Sequence, residues 1–275
     1  MARCTAKLGA VPRKNPPISP CAERYWPLIT LSQVEHLGFE HFTVYDIDGS
    51  AAPYLSPLLN ATFLTYFSSW APTSCLRNLT STRTLPTCTE TLINNQCVWN
   101  ARGLSEWAML IHSPDCFVND APGLPTLFSL LDSTDYSKAS VLLPTYLFEF
   151  PSSAPAPARS NDTTAADIFT FFNYRICAMF NAWRHMPVVD PHLIQATIVH
   201  ESFDNLTTDS RVYTASLAVH HYFQLFSSRT SGNILTEDAM MLFDADGTLA
   251  YCKDESMSHV SGVVRSLLKA PLSVE

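Results

Sequence analysis

Asn95-Gln96-Cys97-Val98-Trp99-Asn100-Ala101-Arg102, followed by Glu106-Trp107-Ala108-Met109-Leu110-Ile111-His112-Ser113-Pro114-Asp115-Cys116-Phe117, is the stretch on which the fold turns. Its first part continues a run that opens with Thr87-x-x-Glu90. That spacing is a capping box, in which hydroxyl and carboxyl each satisfy a backbone N–H at a helix start. Gly103 can end the helix by adopting the left-handed conformation other residues avoid. Trp107 to Ile111 is then an apolar run of strand length. It stops in the polar cluster His112, Ser113, Pro114 and Asp115. A helix feeding a buried strand that ends in polar residues is the unit of a layered α/β protein.

The same alternation extends in both directions. His41-Phe42-Thr43-Val44-Tyr45-Asp46 reads as a strand, and Ile47-Asp48-Gly49-Ser50 as the turn after it. Ser50 can cap a helix from Ala51 to about Asn60. Thr62 to Phe67 reads as the next strand, Leu124 to Leu131 as a helix, and Ser140 to Phe150 as a strand. The expected fold is α/β, a central, largely parallel sheet flanked by helices. Ligands of such sheets gather at the carboxyl ends of the strands. Asp46 and Asp48 fall at one such end, His112 and Asp115 at another. Residues 1–22, with Pro and basic side chains, read as a tail or linker. Residues 23–275 form a single domain, and the Pro-, Ala-, Ser- and Thr-rich segment 151–166 is an exposed loop within it.

Composition excludes several classes. Hydrophobic residues make up 47% of the 275 and charged residues 15%, enough for a sizeable core. A net charge of -8 argues against a nucleic-acid partner, which needs a basic face. No apolar run approaches the roughly 20 residues of a membrane span. With 8 glycines and no P-loop or GxGxxG, a Gly-rich phosphate cradle is not expected. The 8 cysteines include no C-x-x-C pair, so a structural zinc site is not expected, and an even count suits disulfides of undetermined pairing. N-x-[ST] sequons at Asn60, Asn78, Asn161 and Asn205 favour a glycoprotein of the secretory pathway. The basic N-terminus lacks the apolar block of a signal peptide, so a lumenal site implies an upstream segment.

Glu35-His36-Leu37-Gly38-Phe39-Glu40-His41-Phe42-Thr43-Val44-Tyr45-Asp46 resembles the opening of glycosyltransferase family 92. Later elements of that family are matched by Met186-Pro187-Val188-Val189-Asp190-Pro191, Val199-His200 and Leu217-Ala218-Val219-His220-His221-Tyr222, in the same order. The resemblance spans roughly residues 35–225. It implies a GT-A-like (Rossmann-like) fold and inverting transfer of a hexose, galactose above others, from a UDP-sugar to a glycan acceptor in the Golgi. It also implies a divalent metal, Mn²⁺ or Mg²⁺. Carried over by position, Asp46, Asp48, Gln96 and Arg102 become donor-binding residues. His112, Asp115, His220 and His221 become metal ligands.

Two departures stand beside this. The family's first sheet strand should precede Glu35, and residues 1–30 do not resemble it. Its Asp-x-Asp metal motif is reduced here to one carboxylate, Asp115, with His112 nearby. Mg²⁺ prefers oxygen ligands, whereas Mn²⁺ accepts imidazole more readily. Plainer readings stay open. Asp115 suits a strand-end turn, Asp46 and Asp48 a strand-to-helix turn, and the three histidines packing. An inverting transfer needs a carboxylate base, for which Glu149, Asp190, Glu201 and Asp204 are candidates. A non-catalytic binding or scaffold relative that lost its metal is the alternative reading. Leu242-Phe243-Asp244-Ala245-Asp246-Gly247-Thr248-Leu249 also resembles the opening of haloacid-dehalogenase phosphatases. The remaining segment, Ala250 to Glu275, is shorter than a domain of about 100 residues requires, so Asp246-Gly247 reads as a turn.

Overall fold

The structure, a computed structural model, describes residues 5–6, 37–46, 49, 51–58, 62–68, 70, 85–111, 116–119, 123, 126–134, 138–148, 173–177, 185–197, 202–204, 211–214, 217–222 and 251–257. In chain order these form β1 (Thr5–Ala6), β2 (His41–Tyr45), α1 (Ala52–Leu55) with a 3₁₀ turn (Ser56–Leu58), β3 (Leu64–Phe67) and α2 (Leu85–Ala101). Next come β4 (Ala108–Met109), β5 (Cys116–Val118), α3 (Leu127–Asp132), β6 (Ser140–Leu143), β7 (Thr145–Leu147) and β8 (Tyr174–Ile176). The last are β9 (Met186–Val189), β10 (Ile194–Thr197), β11 (Ser202–Asp204), β12 (Arg211–Tyr213), β13 (Val219–His221) and β14 (Tyr251–Lys253).

The sheets run β1-β2-β3, β12-β6-β9-β4 and β5-β13-β7, with two-stranded ribbons β10-β11 and β14-β8. The first is parallel throughout, Phe42 lying opposite Leu64 and Thr43 opposite Thr65. The second is mixed, because β9 runs antiparallel to both β6 and β4 while β12 is parallel to β6. β1 comes within 8 Å of β4. Stacked sheets lie about 10 Å apart, so the two sheets meet edge to edge.

Successive strand residues point to opposite faces, and the core divides accordingly. Trp107, Met109 and Ile111 pack with Phe42, Val44, Val141 and Val188. Ala108 and Leu110 pack with Tyr45 and Val189 on the other face. The first cluster takes Leu55 and Leu58 from the α1 segment and Leu127 and Leu131 from α3. The second takes Ile93, Cys97, Val98 and Ala101, one stripe of α2. Burying a leucine such as Leu55 or Leu131 stabilises by about 1.5–3 kcal/mol, so each helix is held by its apolar stripe more than by its own propensity.

The pairing is therefore mixed where a largely parallel sheet was expected, because β9 and β5 run antiparallel to their partners and both ribbons are antiparallel. The helix expected over residues 51–60 is one α turn and one 3₁₀ turn, with Pro53 near its start and Pro57 within the 3₁₀ turn. α2 begins at Leu85, so Thr87 lies inside the first turn rather than capping it. Gly103 does end α2, at φ 75°, with Ser105 N–H donating to Ala101 O at 2.9 Å. The expected strand 107–111 pairs only at Ala108–Met109, and Leu110 N–H adds a bond to Pro187 O. The expected strand 140–150 breaks at Pro144 into β6 and β7, which join different sheets. Within the expected tail, Thr5–Ala6 pairs parallel with His41–Phe42, since β2 offers it an open edge.

Gly38 has φ 87°, and a Cβ there would lie 2.7 Å from the Phe128 ring of α3. Both conformation and space demand glycine at that position. Cys177 and Cys252 form a disulfide that ties β8 to β14, and Cys97 and Cys116 are buried reduced cysteines. Among the described residues no helix is long and apolar enough to cross a membrane. The loop 151–166, the asparagines of the four sequons and residues 242–249 lie outside the described residues.

Candidate functional site

β2 is followed directly by Asp46, a carboxylate 1% exposed. Its Oδ1 accepts from Gly49 N–H at 3.0 Å, and its Oδ2 from Ala51 N–H at 2.8 Å and the Tyr66 hydroxyl at 2.6 Å. Its backbone accepts from Trp70 N–H and donates to Phe67 O. One side chain thus ties β2, β3 and the start of α1 together. Three donors offset the cost of burying its charge. Ser50, expected to cap α1, and Asp48 both lie outside the described residues.

α2 is fixed to the β10 segment by two side chains seven residues apart, on one helix face. Asn95 Nδ2 donates to Thr197 O at 2.7 Å, and Asn95 Oδ1 accepts from Thr197 N–H at 3.0 Å. Arg102 donates to Pro191 O at 2.9 Å and to Ile194 O at 2.6 Å. Its guanidinium also stacks 3.9 Å from the Trp99 ring centre. The turn it grips begins at Asp190, whose Oδ1 accepts from His192 N–H at 2.8 Å. Arg102 and the Asp190 turn are thereby brought together, while Gln96 is exposed on α2. Arg102 is engaged with backbone carbonyls, and Asp190 is partly open to solvent.

His220 is fully buried on β13. It stacks on Phe148 at 4.5 Å and meets the edge of Tyr146 at 5.9 Å. Neither ring nitrogen has a hydrogen-bond partner among the described residues. Burial pushes its pKa down to about 3, with Asp254 opposing and Arg175 reinforcing the change. Arg175 itself pairs with Asp254 at 2.7 Å and lies 4.1 Å over Tyr146. His221 is buried too, and as the next strand residue it points to the other face. These two histidines do not fit a shared metal site. Among the described residues no three His, Cys, Asp or Glu side chains converge on one. His112, Asp115, Glu149 and Glu201 lie outside the described residues, and Asp204 is on β11.

A cleft of about 480 Å³ lies elsewhere, between the β2–β3 pair and the end of α2. His41, Thr43, Thr65 and Phe67 face it from the strands, and Cys97, Asn100, Ala101, Leu104 and Ser105 from α2 and its end. Glu40, Thr62 and Phe63 complete its rim. Thr43 lies three residues before Asp46, about 10 Å along the strand. The described lining of the cleft runs from Glu40 and His41 to Phe67 and does not include Asp46, at the carboxyl end where a ligand was expected. Of its polar residues, Asn100 belongs to the family-like helix stretch, and none was assigned a binding role from the sequence. A signal was present, since His41 and Thr43 alternate with Phe42 and Val44 and so share the face opposite that core.

No family model matches this chain, and no curated protein matches it either. Similar solved structures include 4-diphosphocytidyl-2C-methyl-D-erythritol synthase from Anaerococcus prevotii, at 11% identity. That match covers 85% of this chain and 93% of the synthase, with a TM-score of 0.35. HddC from Yersinia pseudotuberculosis is 8% identical, over 95% of this chain and 99% of its own, with a TM-score of 0.34. Both likenesses are distant, and the chain takes no function from either.

Proposed function

We propose that the chain is a divergent GT-A-like glycosyltransferase that uses a UDP-sugar, with galactose the first sugar to test, and passes the hexose to a glycan hydroxyl with inversion. The observation that carries the reading is the parallel pair β2–β3 ending on Asp46. It assembles the segment that resembles the family's opening, and it puts an acidic turn at the carboxyl end of a parallel strand. Asp48, two residues after Asp46 in the sequence, is the residue proposed to meet the donor's uridine; Gln96 is the exposed second candidate. Asp190, partly open at the end of β9, is the proposed acceptor base ahead of Glu149. A metal role for Mn²⁺ or Mg²⁺ rests on His112 and Asp115, without His220. The disulfide and the four sequons support a secretory-pathway location.

A second reading, a non-catalytic binding or scaffold protein, is favoured by one observation. Arg102, a cation near the proposed site, is spent on the Pro191 and Ile194 carbonyls. The test is release of UDP from UDP-galactose in the presence of a panel of glycan acceptors. Acceptor-dependent release supports the transferase. UDP binding with no release on any acceptor supports the scaffold reading instead.

A further inference from the structure

We infer that the cleft between β2–β3 and the end of α2 binds an uncharged polyhydroxylated ligand, a sugar ring, separately from any nucleotide. Its volume, about 480 Å³, falls within the range of small-molecule pockets. Its chemistry narrows the class. The hydroxyls of Thr43 and Ser105 open into it, and both residues are otherwise buried, at 8% and 7% exposure. Neither hydroxyl makes a hydrogen bond among the described residues, and neither is sealed away from the cleft. An accessible hydroxyl with no protein partner can donate to or accept from a ligand in the open space beside it.

Asn100 adds a side-chain amide whose bond to the Tyr45 hydroxyl, at 3.5 Å, is at the outer limit of length. Glu40 adds an exposed carboxylate at the rim. The site therefore presents hydroxyls, an amide with donors and an acceptor, and a carboxylate acceptor. Leu104, 62% exposed, supplies an apolar surface for the C–H face of a ring. No Lys or Arg is among the described lining residues, and His41 is bonded to Thr65 Oγ1 at 3.0 Å. A phosphate would meet Glu40 with no Lys or Arg among the described lining residues to balance it, so nucleotides and sugar phosphates are disfavoured. This assignment does not depend on transferase activity and holds equally for a non-catalytic protein.

Saturation-transfer NMR on the full chain tests it, with D-galactose, D-glucose and N-acetyl-D-glucosamine as probes and inorganic phosphate and UMP as charged comparators. At least one neutral sugar is expected to bind with a Kd on the order of 1–10 mM. Asn100→Ala and Ser105→Ala should each weaken it about fivefold, the loss expected for one uncharged hydrogen bond. Circular dichroism and any UDP affinity should not change. Asn100→Ala also removes a hydrogen bond to the buried Tyr45 hydroxyl; Glu40→Gln, at the exposed rim, is the variant that spares the core. Three results overturn the inference: no transfer to any sugar up to about 50 mM, undiminished binding in the Asn100→Ala/Ser105→Ala double variant, or phosphate and UMP competing for the same site. UDP binding without sugar binding removes this site and leaves the transferase reading standing; sugar binding without UDP binding does the reverse.

Discussion

Asn95 and Thr197, 102 residues apart, exchange two hydrogen bonds, the amide of Asn95 reading both the N–H and the C=O of Thr197. A side chain here replaces the neighbouring strand that would ordinarily satisfy those groups. Asn95→Ala leaves both without that partner and should destabilise the fold by about 2 kcal/mol. Asn95→Asp keeps the acceptor, loses the donor and should fall between. Urea unfolding checks this as a lower midpoint at unchanged slope.

Gly38 and Gly103 both have positive φ, yet they should respond differently to alanine. A Cβ on Gly103 meets nothing within 4 Å, so only conformational strain of about 1 kcal/mol applies. A Cβ on Gly38 also strikes the Phe128 ring at 2.7 Å. Gly38→Ala should cost about 3 kcal/mol, since overpacking adds to the strain. Phe128→Leu should recover part of that loss in the double variant.

Asp46→Ala should cost about 3 kcal/mol, because Gly49 N–H, Ala51 N–H and the Tyr66 hydroxyl lose a charged acceptor. Tyr66→Phe removes only one of those bonds. The two substitutions should be non-additive in a double-mutant cycle, with a coupling of about 1 kcal/mol or more. Additive losses would show that the Tyr66–Asp46 bond contributes nothing.

His220 contributes a pH dependence to stability. Its folded pKa, about 3, lies below its usual 6.5, so the unfolded chain binds more protons between those values. The stability held by neutral His220 is fully present above pH 6.5 and declines as pH falls toward 3. The slope from this one group approaches about 1.4 kcal/mol per pH unit. His220→Phe should give a flatter stability profile across that window. Equal slopes in the two proteins would contradict the buried placement of a neutral imidazole.

The disulfide Cys177–Cys252 closes a loop with a sequence separation of 75. Loop-closure entropy for that length gives roughly 4 kcal/mol. Cys177→Ser/Cys252→Ser should lower the unfolding midpoint accordingly, and reductant should lower the wild-type midpoint toward that of the variant.

The layering was legible because apolar alternation survives in short strands. Phe42 and Val44 opposed to Tyr45, and Met109 opposed to Leu110, announce a sheet covered on both faces. Strand direction was not legible, since antiparallel β9 has the same unbroken apolar run, Met186 to Val189, that a parallel strand would show. β1 was hidden because two residues carry no periodicity. Asp46 was found, but its partners Tyr66 and Ala51 depend on register, which no local pattern encodes. The roles of Asn95 and Arg102 were hidden for the same reason, their partners being backbone groups 102 and 89 residues away. The cleft was missed because threonine and asparagine in strands and helices ordinarily mark solvated faces.

Calorimetric titration of the full chain with UDP, with and without Mn²⁺, tests the transferase reading most directly. The expected result is saturable heat at or below about 1 mM UDP, weakened at least tenfold by Asp48→Ala. Absence of any heat at millimolar UDP, with and without Mn²⁺, would contradict it.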